Sequence, residues 1–252
     1  MILRPMAGHG QRAAHSAKPT LPIWNAIQTA QMTKPAACID QVDHARLAGE
    51  IAQHFDPEIV RPLDARLIDA ISLHDEGWSE LDSKPPVRTF LDVQPADFLR
   101  AWRGSINAAR EVSELGGLMV GGHFYRLGKA RLELAPNTPT DTKLVQEFLS
   151  EQERARSQWK TTASFSEPQL EGLIDLLQFC DVFSLYLCCG AQERVQFPQK
   201  IAGTIFQLYR EADWCISSPP LFAASIQLQV KTWEVSRKGT KGDPQILDFQ
   251  LR

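Results

Sequence analysis

Four side chains in this chain have the types and order to hold a metal ion: His44, His74, Asp75 and Asp181. A histidine comes first, then an adjacent histidine–aspartate pair, then a distant aspartate. Imidazole and carboxylate together suit iron, manganese, zinc and nickel. A divalent ion held this way lowers the pKa of a bound water and polarises a bound oxygen. The chemistry indicated is hydrolysis or oxygen activation. Asp181 carries the argument furthest, because it shares an apolar helical stripe with Ile174 and Leu177. A buried carboxylate without a partner is strongly unfavourable or is driven to protonate. A metal ion removes that penalty, as would a cationic side chain or helix-cap hydrogen bonds. His44 alone reads as a core histidine, and His74-Asp75 alone as a common dipeptide. Adjacent helical residues do not face the same way, so the joint occurrence of all four is the signal.

The elements that must position these residues follow from periodicity and punctuation. His44, Leu47, Ala48, Ile51 and Phe55 share one face of a helix expected over 40–55. Pro57 and Pro62 interrupt the chain. A second helix is expected over 64–76, with Asp64 as N-cap, Leu67, Ile71 and His74 on one face, and Gly77 as its end. A loop runs from Trp78 to about Val93. Further helices are expected at 95–115, 141–160 and 167–189, the last the most apolar. Gly116, Gly117, Gly121 and Gly122 precede His123, and they read as permitting close helix approach beside it. Beyond Gly190 the pattern alternates, with strands expected at 203–210, 224–235 and 245–251.

The expected fold is therefore mainly α, a helical bundle with a small C-terminal antiparallel β-sheet. Its parts are an N-terminal arm at 1–39, a helical core at 40–190 and a β appendage at 191–252. The arm contains no Asp or Glu and is interrupted by Pro5, Pro19, Pro22 and Pro35, so it reads as strap-like rather than as a targeting signal. Net charge is −3, which gives no basic footprint for a nucleic-acid polymer or an anionic membrane surface. The longest apolar stretch, Leu176 to Ala191, holds Gln178 and Asp181 and is too short to span a bilayer. Five cysteines without paired C-x-x-C spacing read as reduced core thiols of a cytoplasmic protein. There is no P-loop, no Rossmann fingerprint and no nucleophile elbow. The partner expected is a small molecule.

At these residues the chain resembles the HD-domain superfamily of metal-dependent phosphohydrolases, whose ligands follow the order His…His-Asp…Asp. It is also similar to a bacterial family known only as a domain of unknown function. The stretches that carry this likeness are Gln41–Ala48 (QVDHARLA), Ala70–Trp78 (AISLHDEGW), Gly122–Phe124 (GHF) and Asp181–Cys189 (DVFSLYLCC). The resemblance implies an HD-like helical core whose metal ligands are His44, His74, Asp75 and Asp181. The ion implied is Mn, Fe, Ni, Zn or Mg. It further implies hydrolysis of a phosphoester of a small molecule or nucleotide by a metal-activated water. Glu76 or Asp82 would orient or deprotonate that water. His123 would protonate or bind the leaving group. Arg46 and Lys84 would meet phosphate, and Trp78 would stack on a base. The chain departs from the HD pattern after Asp75, where Glu76, Gly77 and Trp78 follow instead of a segment with a lysine. Two-ion HD proteins supply two further histidines before the last Asp, and here only His123 is available. Two other readings stand beside the hydrolase: an HD-fold iron oxygenase, and a non-catalytic sensor or scaffold stabilised by its metal.

Overall fold

A computed structural model describes residues 1–5, 20–31, 35–88, 92–134, 138–160, 165–236 and 239–252. The chain begins with β1 (Ile2–Pro5), β2 (Leu21–Pro22), α1 (Ile23–Gln31) and β3 (Pro35–Ile39). Helices α2 (Gln41–Gln53) and α3 (Ala65–Ser72) follow, then a 3-10 turn (Glu76–Trp78) and α4 (Ser79–Ser83). Four long helices come next: α5 (Pro95–Val112), α6 (Glu114–Leu134), α7 (Pro139–Lys160) and α8 (Glu167–Cys188). The chain closes with β4 (Val195–Ile201), β5 (Thr204–Glu211), β6 (Trp214–Ser218), β7 (Ile226–Val235) and β8 (Lys241–Leu251).

The local signals set most helix boundaries. The Asp64 side chain accepts the backbone N–H of Arg66 at 2.8 Å and starts α3. Pro95 opens α5, where its missing N–H has no cost. At α8 the Gln169 side chain accepts the N–H of Ser166 at 2.7 Å. The glycines of α6 behave as expected. A Cβ on Gly122 would lie 2.2 Å from Ile174 Cδ1, and one on Gly121 would lie 2.6 Å from Gln152 Oε1. Their absence lets α6 lie directly on α8 and α7.

The expected fold class is overturned by the sheet. Among the described residues eight strands form one mixed sheet in the order β1-β3-β7-β8-β6-β5-β4-β2, and β2/β4 and β6/β8 pair in parallel. The sheet is neither small nor confined to the C-terminus. Three of its strands come from residues before 40. The prolines expected to interrupt a strap-like arm fall where a sheet tolerates them: Pro5 and Pro22 on the outermost strands, and Pro35 as the first residue of β3. The partners of β2 and β3 also lie far along the chain: Cys38 pairs with Trp233, and Leu21 with Val195. No local pattern announces such a pairing. Strands β4 and β6 also escaped the alternation rule, β4 because Pro198 interrupts it and β6 because Cys215, Ile216 and Ser217 are buried in succession.

Helices and sheet share one apolar core. The second half of α8, residues 176–188, is apolar nearly all round, as a helical stretch buried on every side must be. Helix α8 packs against α1, α2, α6 and β4. Phe179 on α8 stacks on Phe197 of β4 at 4.0 Å and meets Phe206 of β5 edge-on at 5.8 Å. All five cysteines are free and buried. Among the described residues no helix is long and apolar enough to cross a membrane.

Candidate metal centre

His44 projects from α2, His123 from α6 and Asp181 from α8. His74 and Asp75 were expected on a helix, but α3 ends at Ser72 and Leu73–Asp75 form a turn. The turn is tied by Glu76 N–H to Leu73 C=O at 3.0 Å and Trp78 N–H to Asp75 C=O at 3.0 Å. Leaving the helix removes the rule that neighbouring residues face apart, so both side chains reach one point. Gly77 allows this turn to press on α5. A Cβ there would sit 2.0 Å from the Ala101 carbonyl oxygen, and the Gly77 N–H donates to Ser105 Oγ at 3.0 Å.

The five residues converge in a buried cluster. His74 is fully buried, and Asp75 and Asp181, at 6% and 5% exposed, are the most open members. His44 Nε2 stands 3.1 Å from Asp75 Oδ2 and 3.6 Å from Asp181 Oδ1. His74 Nε2 stands 3.8 Å from Asp75 Oδ2 and 3.5 Å from Asp181 Oδ1. His123 Nε2 stands 3.8 Å from Asp181 Oδ2. Most of these separations are too long for hydrogen bonds. Ligand atoms about 2.0–2.2 Å from a common ion stand roughly 2.8–3.6 Å from one another. The cluster is close to that spacing.

Hydrogen bonds behind the rings set their orientation. The Ser184 hydroxyl donates to the Asp181 carbonyl at 2.8 Å, so its oxygen is left to accept from His44 Nδ1–H at 2.7 Å. His74 Nδ1–H donates to the Ile71 carbonyl at 2.7 Å. Both histidines therefore aim Nε2 at the carboxylates. A lone pair facing a carboxylate oxygen needs a cation between them, either a proton or a metal ion. His74 Nε2 and His123 Nδ1 are buried with no hydrogen-bond partner among the described residues. Such orphaned nitrogens are rare in a folded core. Three imidazoles with two carboxylates form a donor set for a first-row divalent ion, and the residues fit it.

The charges of the metal-free cluster agree. Burial pushes His74 down, but Asp75 and Asp181 outweigh it and hold its pKa up at about 9. Burial pushes Asp181 up, but His74, His123 and His44 hold it down at about 2. Burial takes His123 down to about 4, with His74 and His44 assisting and the carboxylates opposing. The cluster is thus a carboxylate site that collects a proton where no metal sits.

The remaining expected residues lie in other settings. Asp82 is buried, and its Oδ2 accepts the Gln41 N–H at 2.7 Å while Oδ1 stands 3.4 Å from the Met1 amino group. It buttresses the start of α2. Arg46 is exposed and pairs with Asp43 at 3.1 Å. Lys84 is exposed and pairs with Glu80. Trp78 is 1% exposed and belongs to the core, so it offers no face for stacking on a base. Glu76 is half-buried, beside Asp75, with no side-chain hydrogen bond or ion pair among the described residues. Ser184 escaped the sequence reading, although a lone serine one turn after Asp181 on an apolar helix was a visible signal.

The family model described as "Protein of unknown function (DUF3891)" matches residues 28–236. The chain belongs to this family. The matched span includes all five residues of the cluster. No curated protein and no solved structure matches the chain.

Proposed function

We propose that this member of the DUF3891 family is a metal-dependent hydrolase acting on a phosphoester of a small molecule or nucleotide. The observation that carries the reading is the buried convergence of His44, His74, Asp75, His123 and Asp181, with two imidazoles locked so that Nε2 faces the carboxylates. The order His…His-Asp…Asp, which resembles the HD superfamily, supports the same reading. A bound divalent ion would supply an activated water and a polarised phosphoryl oxygen. His44, His74, Asp75 and Asp181 would hold it. Asp75 and Asp181, the most exposed of the five, would border the side open to water and substrate. Glu76, half-buried and unengaged, is the group left to take a proton from that water. Asp82 drops out of that role because its oxygens serve Gln41 and Met1.

A second reading, in which the ion only braces α2, α6 and α8, is favoured by the low exposure of the cluster. Elemental mass spectrometry of the purified protein, with His74→Ala and Asp181→Ala beside it, tests both. The expected result is near-stoichiometric metal in the wild type, lost in both variants, and metal-dependent release of phosphate from a phosphoester panel. Metal without turnover on any phosphoester selects the bracing reading. Iron at two per chain selects an oxygenase. A folded wild type that takes up no metal after reconstitution overturns all three.

A further inference from the structure

We propose that His123 is a fifth ligand of one single ion, so that three imidazoles, two carboxylates and one exchangeable position complete the centre. This rests on the metal reading above and specifies the number of ions and the number of ligands.

Two groups of three side chains can each hold an ion: His44 with His74 and Asp75, and His74 with His123 and Asp181. They share His74. Its Nδ1–H is committed to the Ile71 carbonyl at 2.7 Å, so only Nε2 offers a lone pair, and one nitrogen lone pair binds one ion. The two groups therefore describe the same ion from two sides. Asp181 joins them: Oδ1 faces His44 and His74 at 3.6 and 3.5 Å, while Oδ2 faces His123 at 3.8 Å. The rings of His74 and His123 meet edge to face with centroids 5.7 Å apart.

Beyond the cluster the His123 ring meets Phe124 at 5.1 Å, and among the described residues no hydrogen-bond partner explains its position. Its Nδ1 is buried with no hydrogen-bond partner among the described residues, and the residue is 2% exposed. Nor can its backbone retreat, because Gly122 sets α6 directly against Ile174 of α8. A buried nitrogen without a partner is costly, and Nε2, 3.8 Å from Asp181 Oδ2, is the atom placed to meet an ion. His44 and His74 each donate a hydrogen bond from behind the ring, to Ser184 Oγ and the Ile71 carbonyl, and among the described residues His123 Nδ1 makes none. It is the least restrained of the three, so losing it weakens the site rather than abolishing it. Three nitrogens and two oxygens match six-coordinate manganese, iron, cobalt or nickel better than oxygen-seeking magnesium.

Cobalt(II) loading of the metal-stripped full chain tests this. Equilibrium dialysis gives the stoichiometry, and X-ray absorption counts the coordinated imidazoles. Wild type is expected to take one ion per chain with three imidazoles. His123→Ala, and His123→Gln as the volume-conserving control, are expected to keep one ion with two imidazoles and to bind at least about 10-fold more weakly. Circular dichroism establishes that each variant is folded. Two ions per chain, or an unchanged imidazole count and affinity in both variants, would overturn the fifth-ligand assignment and leave the metal reading standing. Failure of the wild type to bind cobalt at all would remove both.

Discussion

Ser184→Ala isolates the part of the site that the sequence did not reveal. Ser184 is fully buried, and its oxygen accepts His44 Nδ1–H at 2.7 Å while its proton goes to the Asp181 carbonyl. Removing the hydroxyl leaves His44 two choices. It keeps Nδ1–H and buries an unpaired donor, which costs about 1–3 kcal/mol. Or it changes tautomer and turns Nε2–H towards Asp75 Oδ2, only 3.1 Å away. The second choice satisfies the metal-free protein but spends the lone pair that a metal would use. The variant should therefore be close to wild type in stability when stripped of metal and distinctly weaker in metal binding. Loss of an outer hydrogen bond to a ligating histidine lowers affinity about 10- to 100-fold, or about 1.4–2.7 kcal/mol. At a fixed excess of metal the same amount disappears from the stabilisation that metal confers. For a chain of this size that removes roughly 3–10 °C from the metal-induced rise in Tm. A competition titration against a chromophoric chelator gives the affinity, and paired melts with and without metal give the linkage. Equal affinity in wild type and variant would refute the tautomer argument.

Three further outcomes are expected. Gly77→Ala drives a Cβ to 2.0 Å from the Ala101 carbonyl oxygen, so it should lower stability by roughly 3 kcal/mol; a melt within a degree of wild type would show that the turn can move off α5. Asp82→Ala should destabilise the fold by about 1–3 kcal/mol yet keep its full metal content; a folded variant that loses metal would return Asp82 to the centre. In the metal-free protein, His123 at about 4 binds its proton less readily than in the unfolded chain, so stability should fall as pH drops below about 6.5. His74 at about 9 acts in the opposite sense: its contribution is full below about 6.5 and is lost as pH rises towards 9. Urea midpoints of chelated protein should then peak near neutrality, and a monotonic profile would contradict these assignments.

The sequence disclosed more of the site than of the fold, for reasons that particular residues illustrate. Helices α2, α3, α5, α7 and α8 were legible because their apolar spacing and caps are local, from Asp64 and Pro95 to the largely apolar run around Asp181. The side chains of His44, His74, Asp75 and Asp181 do meet, and His44 and Asp181 stand on helices whose core-facing side was predictable. The turn at Leu73–Asp75 was not, because it depends on Gly77 fitting against the backbone of α5, a contact about 25 residues away in sequence. Arg46 and Lys84, expected to meet phosphate, pair with Asp43 and Glu80, and a sequence does not say which way a charged side chain points. The sheet was least legible. Pairings such as Ala37 with Glu234 join segments that share no local signal.

The sheet has a peculiarity of order: its two outermost strands, β1 and β2, both lie within residues 1–22, and β2 joins the sheet through β4 while β1 joins it through β3, whose other neighbour is β7. On the ribosome β2 emerges well before its partner β4, and β3 well before its partner β7. All five residues of the cluster, by contrast, have been synthesised once α8 is complete, before any of β4 exists. An ion could therefore gather α2, α6 and α8 co-translationally, while the sheet that will cover them is still being made. Closure of the sheet edges becomes the slow, non-local step. The helical half, braced from within, would be the template on which that step is completed.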